Sequence, residues 1–241
     1  MTEQVIAELA RTGVLRAGIN TANFLLVTGT GATGDPEGVA PDLAAEIAQR
    51  LGVEIAYVPF KTPGELADAA ISDVWDIGLI GAEPQRAEKI AFTAAYVEIE
   101  ATYLVPEGSP LTTIEAVDGP GVRIAVTARS AYELWLNRNI VHAELVLSDS
   151  LDAALEQFLA EGLDALAGLR PRLISDLEKV PGARILDGQF TAVQQAVGTP
   201  RGNEAAAAFL ADFVEEAKAT GLVAGLIERH DVKGLSVAPP A

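Results

Sequence analysis

The residue types that do chemistry are scarce in this sequence, and their positions narrow what it can be. Cysteine is absent from the 241 residues, and histidine occurs only at His142 and His230. Without a thiol there is no disulfide, no thiolate nucleophile and no thiolate metal site. A histidine metal site or a Ser-His-Asp triad needs an imidazole with a positioned neighbour, and two isolated histidines far apart in the chain provide neither. No metal and no cofactor is therefore implied. Gly29-Thr30-Gly31-Ala32-Thr33-Gly34 spells the GxGxxG of dinucleotide-binding loops. That motif requires a helix to start at the glycines. Here Asp35-Pro36-Glu37-Gly38 makes a turn and the next helix waits until about Asp42, so the stretch reads as a flexible surface loop. What remains is a set of arginines, carboxylates, amides and hydroxyls, whose use depends on the elements that position them.

Those elements alternate short apolar runs with helix-period stretches, the pattern of an α/β protein with mostly parallel sheets. A strand at Leu15–Asn20 is followed by a helix at about Asp42–Leu51, with Leu43, Ile47 and Leu51 on one face and Gly52 as its stop. Val53–Pro59 reads as a strand, and Thr62-Pro63-Gly64-Glu65 as a capping box with proline at the first helical position. Asp76–Gly81 is a buried strand, and Tyr96–Val105 an extended run too long for a hairpin arm. The pattern then restarts. A second capping box at Thr112–Glu115 precedes a strand at Val122–Thr127, a helix at Ser130–Asn137, a strand at Ala143–Leu147 and a helix at Ser150–Ala160. A strand at Asp164–Gly168, a helix after Pro171 and a short strand at Ile185 and Leu186 complete this series. Thr191–Gly198 is extended again, Asn203–Ala219 and Leu222–His230 are amphipathic helices, and the Pro-rich end trails off. Two extended runs flanking the middle series predict a discontinuous first domain, about residues 1–98 and 197–241, and a second of about 99–196, with a ligand cleft between them.

The formal net charge of −17, from 17 basic and 34 acidic residues spread along the chain, makes nucleic acid and anionic membrane surfaces poor partners. No apolar run approaches the roughly 20 residues of a membrane helix, so no direct membrane insertion is expected. Met1–Asn20 lacks the basic start, apolar core and small-residue cleavage site of a secretory leader. The expected location is periplasmic or extracellular if a leader was removed, and cytoplasmic otherwise.

Three segments then carry a resemblance: Leu15-Arg16-Ala17-Gly18, Glu37-Gly38-Val39-Ala40-Pro41-Asp42-Leu43, and Trp75-Asp76-Ile77-Gly78 through Arg86-Ala87-Glu88-Lys89-Ile90-Ala91-Phe92-Thr93. In these the sequence resembles the family 3 extracellular solute-binding proteins, the substrate-capturing subunits of polar amino-acid ABC importers, over nearly its whole length. The resemblance implies a two-lobe, type II periplasmic-binding-protein-like α/β fold. Each lobe is a mostly parallel sheet flanked by helices, and two crossing strands form a hinge that closes on the ligand. It implies a small carboxylate-bearing solute, an amino acid or organic acid, and an ABC permease as partner. The chain departs from the family pattern at Ala40 and Pro41, where an acid and a turn position are replaced.

A solute carboxylate leaving water wants a bidentate guanidinium and backbone N–H groups at a helix start. Arg86 follows the buried strand ending near Gly81, at the carboxyl edge where α/β ligands bind, and Gly81 lets a ligand approach the backbone. Arg86 is expected to leave the free protein's stability nearly unchanged when removed. Ser130 starts a helix and can direct its N–H and hydroxyl at the same carboxylate, although capping alone would explain it. Asn23 and Phe24 occupy the loop where related proteins place a side chain that covers the ligand. Relatives carry an ammonium-binding acid shortly after the strand that here ends at Gly168, and this chain has Leu169. Glu98 or Glu100 on the crossing strand can replace that acid, or Arg170 can favour a second anionic group on the ligand. Gln194 and Gln195 offer neutral hydrogen bonds, Asp42 reads as a cap, and Trp75 and Trp135 read as packing anchors. Two other readings share the scaffold: a cyclohexadienyl-dehydratase-like enzyme using Glu98 or Glu100, and a cytoplasmic ligand-sensing module without a leader.

Overall fold

The computed structural model describes residues 3–241, which fold as two compact units. The first unit comprises the chain through Glu98 together with Gln194–Ala241, and the second is Ile99–Val193. In the first, α1 (Glu3–Leu9) leads to β1 (Val14–Asn20), a small hairpin of β2 (Gly29–Thr30) and β3 (Pro36–Glu37), and α2 (Val39–Leu51). There follow β4 (Glu54–Phe60), α3 (Pro63–Asp68), β5 (Ile77–Gly81), the short α4 (Pro84–Ala87) and β6 (Ile90–Val105), whose later half belongs to the second unit. The second unit adds β7 (Arg123–Thr127), α5 (Ala131–Asn139), β8 (Glu144–Ser148), α6 (Leu151–Glu161), β9 (Ala165–Leu169), α7 (Arg170–Asp176) and β10 (Arg184–Ile185). The chain returns through β11 (Thr191–Pro200) to α8 (Glu204–Ala219), α9 (Leu222–Arg229) and β12 (Ser236–Val237).

Both units are built to one plan. In the first, β1 pairs in parallel with β4 on one side and β5 on the other, and β11 closes antiparallel on β5. In the second, β7 pairs in parallel with β8 and β9, and β6 closes antiparallel on β9. Helices cover both faces, so the middle strands are apolar throughout: all five residues of β5 are buried. Ile77 and Leu79 face the larger core with Leu43 and Ile47 of α2 and Leu210 and Phe213 of α8. Ile80 faces a smaller one with Leu66 and Trp75. Trp75 lies flat against the sheet because Gly18 and Gly78 have no side chains there, and its Nε1–H donates to the Leu66 carbonyl at 3.1 Å. In the second unit Trp135 is half-buried against Phe190, with ring centroids 5.5 Å apart.

A shared latch sets the register of each central strand. The residue preceding the third parallel strand is an aspartate in both units, Asp76 and Asp164. Asp76 accepts the Arg16 N–H at 2.8 Å and returns its own N–H to the Arg16 carbonyl at 2.8 Å. Asp164 does the same with Arg123, at 2.8 and 3.0 Å. Asp76 also takes the Arg16 guanidinium, through Nε at 3.0 Å and Nη2 at 2.7 Å. Hydrogen bonds to Asp76 and then Asp73 hold the Arg16 guanidinium above its ordinary pKa.

Several local expectations change. α2 begins at Val39, three residues ahead of Asp42, because Gly38 supplies the positive φ of 144° that turns the chain into it. A Cβ at Gly38 would collide with the Leu26 carbonyl. Asp42 is therefore in the first turn and no cap; its carboxylate meets Arg229 at 3.1 Å and His230 Nε2 at 2.9 Å, tying α2 to α9. Gly29–Gly34, expected to be a flexible loop, lies largely within the β2–β3 hairpin, closed by the Gly31 N–H to the Asp35 carbonyl at 2.8 Å. The second capping box is displaced by one residue: Thr113 Oγ1 accepts the Ala116 N–H at 3.3 Å and starts only a single 3-10 turn. The C-terminal stretch does not trail off. Ser236 and Val237 pair with Glu98 and Val97 of β6, the Ala238 N–H donates to the Tyr96 carbonyl, and Lys218 Nζ donates to the Pro239 carbonyl at 2.8 Å.

The latch makes a graded prediction. Asp76→Ala leaves the Arg16 N–H without its acceptor and the guanidinium with Asp73 alone, and should lower the unfolding free energy by about 2–3 kcal/mol in urea titration. Asp73→Ala, at a side chain 67% exposed, should cost less than about 1 kcal/mol.

Candidate ligand-binding site

In the first unit the loops after β1 and β5 leave the same carboxyl edge, because these strands run parallel with Ile19 opposite Leu79. β5 ends at Gly81, and β11 brings Gln195 opposite Gly81 while the Ala82 N–H donates to the Gln194 carbonyl at 2.7 Å. Gly81, Arg86 and Gln194 are thus assembled in one place, with Asn23 and Phe24 on the neighbouring loop. Glu83 stands at the cap position of α4, Pro84 fixes its first turn, and Arg86 is the third of its four residues. Arg86 is only 5% exposed, and its Nη1–H donates to the Gly81 carbonyl at 2.7 Å. A guanidinium buried against a strand end is part of the turn, so the structure sets a different expectation for its removal from the one read from the sequence.

Asn23 is buried and its Oδ1 accepts the Leu25 N–H at 3.2 Å, while its carbonyl receives the Val27 N–H at 2.9 Å. Its oxygens shape the loop, and they hold Phe24 at the surface with 38% of its area exposed. Glu98 is half-buried on β6 opposite Ser236, a pairing apart from the strands that end at the Arg86 turn.

In the second unit the carboxyl ends of β7 and β9 carry Ser130 and Arg170. Ser130 Oγ accepts the Glu133 N–H at 3.1 Å, and the Glu133 carboxylate accepts the Arg129 N–H at 2.9 Å. The same reciprocal cap begins α3, where Thr62 Oγ1 accepts the Glu65 N–H and Glu65 takes the Lys61 N–H. Arg129 adopts a positive φ of 60°, and so aims the chain at the start of α5. Behind it Tyr132 is buried near the Thr127 and Ser130 hydroxyls, and burial pushes its phenol up from the ordinary value. For Arg170, expected to favour a second anionic group on the ligand, the structure shows partners within the protein. The pairing of Ala101 with Leu169 sets Glu100 beside it, and the Arg170 guanidinium bonds to the Glu100 carboxylate and the Gly188 carbonyl. Its charge is already matched within the unit.

Glu83, in the Arg86 turn, is a buried carboxylate that the sequence did not single out. It is 8% exposed, and its signal was an acid directly before a proline that opens a turn.

The comparisons with known proteins agree with this architecture. A sequence model of the bacterial extracellular solute-binding proteins, family 3, matches residues 16–231. The L-cystine-binding protein TcyJ of Escherichia coli (strain K12) is 25% identical over 202 residues, which are 83% of this chain and 76% of that protein. Among solved structures, a putative binding component of an ABC transporter from Wolinella succinogenes DSM 1740, complexed with lysine, superposes with a TM-score of 0.74 at 21% identity. It covers 90% of this chain and 95% of that one. AncCDT-1, an ancestral amino acid-binding protein described as a precursor of cyclohexadienyl dehydratase, gives 0.73 at 21% identity, covering 93% and 98%. The fold is that of the type II periplasmic binding proteins.

Two substitutions test the framework roles of these residues. Ser130→Ala should cost about 1 kcal/mol of stability through the lost cap, and Ser130→Gly a few tenths, in urea titration of the free protein. Arg86→Ala should lower the stability of the free protein by about 1–3 kcal/mol, because it leaves the Gly81 carbonyl buried without its donor; an unchanged midpoint would show that the turn holds without it.

Proposed function

The chain belongs to the bacterial extracellular solute-binding proteins of family 3, and from that premise we propose that it captures a small carboxylate-bearing solute, foremost an amino acid, for an ABC importer. The observation that carries this is the buried Arg86 guanidinium, held in a turn at the carboxyl end of β5 beside a glycine. A guanidinium fixed in this way is preorganised, its planar fork has the geometry that matches a carboxylate, and burial strengthens each bond it makes. In the second unit the Ser130 cap of α5 offers helix-start N–H groups and a hydroxyl that favour negative charge. The chain passes between the two units twice, within β6 and within β11. The relatives that bind L-cystine and lysine support an amino acid as the ligand class.

The protein in this reading carries its solute unchanged. The dehydratase alternative gains nothing from the acids of the second unit, since Glu133 serves the α5 cap and Glu100 pairs with Arg170. We place its work outside the cytoplasmic membrane, next to a permease; among the described residues no helix is long and apolar enough to cross a membrane.

Thermal-shift measurements with the common amino acids, L-cystine and small dicarboxylates, followed by calorimetry on those that raise the midpoint, test this. At least one carboxylate-bearing solute should bind with micromolar or better affinity, and Arg86→Ala should weaken it by about 2–4 kcal/mol. Affinity that survives Arg86→Ala would remove the guanidinium from the site.

A further inference from the structure

The turn that carries Arg86 is too short to hold its own shape. α4 spans four residues, Pro84–Ala87, and a helix of one turn has almost no ladder of its own, so its direction depends on bonds to other elements. β11 and the turn after it supply such bonds on both sides. At the entry the Ala82 N–H donates to the Gln194 carbonyl at 2.7 Å. At the exit the Arg201 N–H donates to the Lys89 carbonyl at 2.9 Å, and the Arg201 guanidinium donates through Nε to the Ala87 carbonyl, the last of α4. A carbonyl at a helix carboxyl end carries partial negative charge and has no acceptor role within the helix, so a cation suits it.

Arg201 is brought to α4 by two glycines. Gly198 lets β11 lie against the start of β6, where a Cβ would collide with the Ile90 side chain. Gly202 takes a positive φ of 101° in the Pro200–Asn203 turn, which the Asn203 N–H closes on the Pro200 carbonyl. Arg201 is exposed, so one bond from its guanidinium adds little to stability. Its leverage is over direction, because the carbonyl it holds belongs to the residue directly after Arg86.

We infer that Arg201 is a positioning residue for the Arg86 turn: by holding the carboxyl end of α4 it fixes the direction in which the Arg86 guanidinium meets a ligand carboxylate. The inference rests on the carboxylate-binding reading of Arg86 given above. A bidentate pair tolerates little error in the plane of its fork, since both N–H···O bonds must stay aligned. Arg201 itself touches no ligand in this account.

A double-mutant cycle on the full chain tests this, with L-lysine, L-arginine, L-cystine, L-glutamate and succinate as calorimetric probes and the tightest carried through the series. Arg201→Ala should weaken that probe about tenfold while lowering the thermal midpoint by no more than about 4 °C. Arg201→Lys, which keeps a donor for the Ala87 carbonyl, should stay within about threefold of the wild type. In an Arg86→Lys background, where a cation remains but no fork is left to aim, Arg201→Ala should change affinity by less than about twofold. Amide exchange on the free protein gives a readout that needs no ligand: Arg201→Ala should speed exchange at Ala87 and Lys89 severalfold and leave Leu79, inside β5, unchanged. Equal losses from Arg201→Ala in both backgrounds overturn the assignment, because Arg201 is then a charge that attracts anions or a general support. Wild-type affinity in Arg201→Ala, unchanged exchange at Ala87 and Lys89, or an Arg201→Ala chain that does not fold overturns it too. If Arg86→Lys weakens the probe while Arg201→Ala does not, the carboxylate reading stands and only the positioning role falls. If Arg86→Lys binds as the wild type does, or the wild type binds none of the probes, both fall.

Discussion

A parallel strand covered by helices on both faces has no room for an unpaired polar side chain, and the organisation of this protein follows from that constraint. β5 is buried from Ile77 to Gly81, so the chain can place polar groups only where the strand ends. The amino end carries the Asp76 latch and the carboxyl end carries the Arg86 turn. The same division holds in the second unit, with the Asp164 latch before β9 and Arg170 after it. One end of each third strand is spent on register, and in the proposed reading the other is left for recognition.

The register end comes first in the causal order. A one-residue slip of β1 against β5 would turn Leu15, Ala17 and Ile19 away from the core they fill. The two reciprocal bonds between Asp76 and Arg16 oppose that slip at the strand entrance, and the guanidinium bonds add a third and fourth contact from the same carboxylate. Only when this pairing is fixed do the loops after β1 and β5 leave the sheet side by side. The position of Asn23 and Phe24 relative to Arg86 is therefore set some five residues upstream, at a place where no ligand need ever touch. β11 completes the turn from the other side, since the Gln194 carbonyl fixes Ala82 as the chain leaves the strand.

Much of this was legible in the sequence because the signals were local. Glycine after an amphipathic run ended α2 and α6 with left-handed caps, and Thr62 and Ser130 with glutamate three residues on began α3 and α5. The errors have local causes of another kind. Asp42 looked like a cap by its residue type, but Gly38 could turn the chain earlier at a φ no side chain tolerates well, and the helix started there. The β2–β3 hairpin and the pairing of β12 with β6 depend on partners distant in sequence or on two-residue strands, and neither leaves a periodic pattern. The ion pair of Arg170 was not legible because its partner, Glu100, is 70 residues away. Whether a charged side chain is matched internally depends on strand register, which periodicity does not encode. The burial of Glu83 was illegible for the converse reason: an acid in a turn is ordinarily wet, and its burial becomes visible only once β5 and β11 are paired.

The charge of the whole chain bears on the chemistry of the turn. With a formal net charge of −17, the protein repels an approaching anion, over a distance limited by screening to about 8 Å at physiological ionic strength. A dicarboxylate meets this field throughout its approach, a neutral zwitterion meets almost none, and a cationic amino acid is drawn in. The field acts on the rate of encounter, and in the proposed reading the buried Arg86 turn acts on the rate of escape, after the ligand has lost its water. A guanidinium held against a strand end is ordered before any ligand arrives, so much of the cost of ordering it was met when the strand end folded.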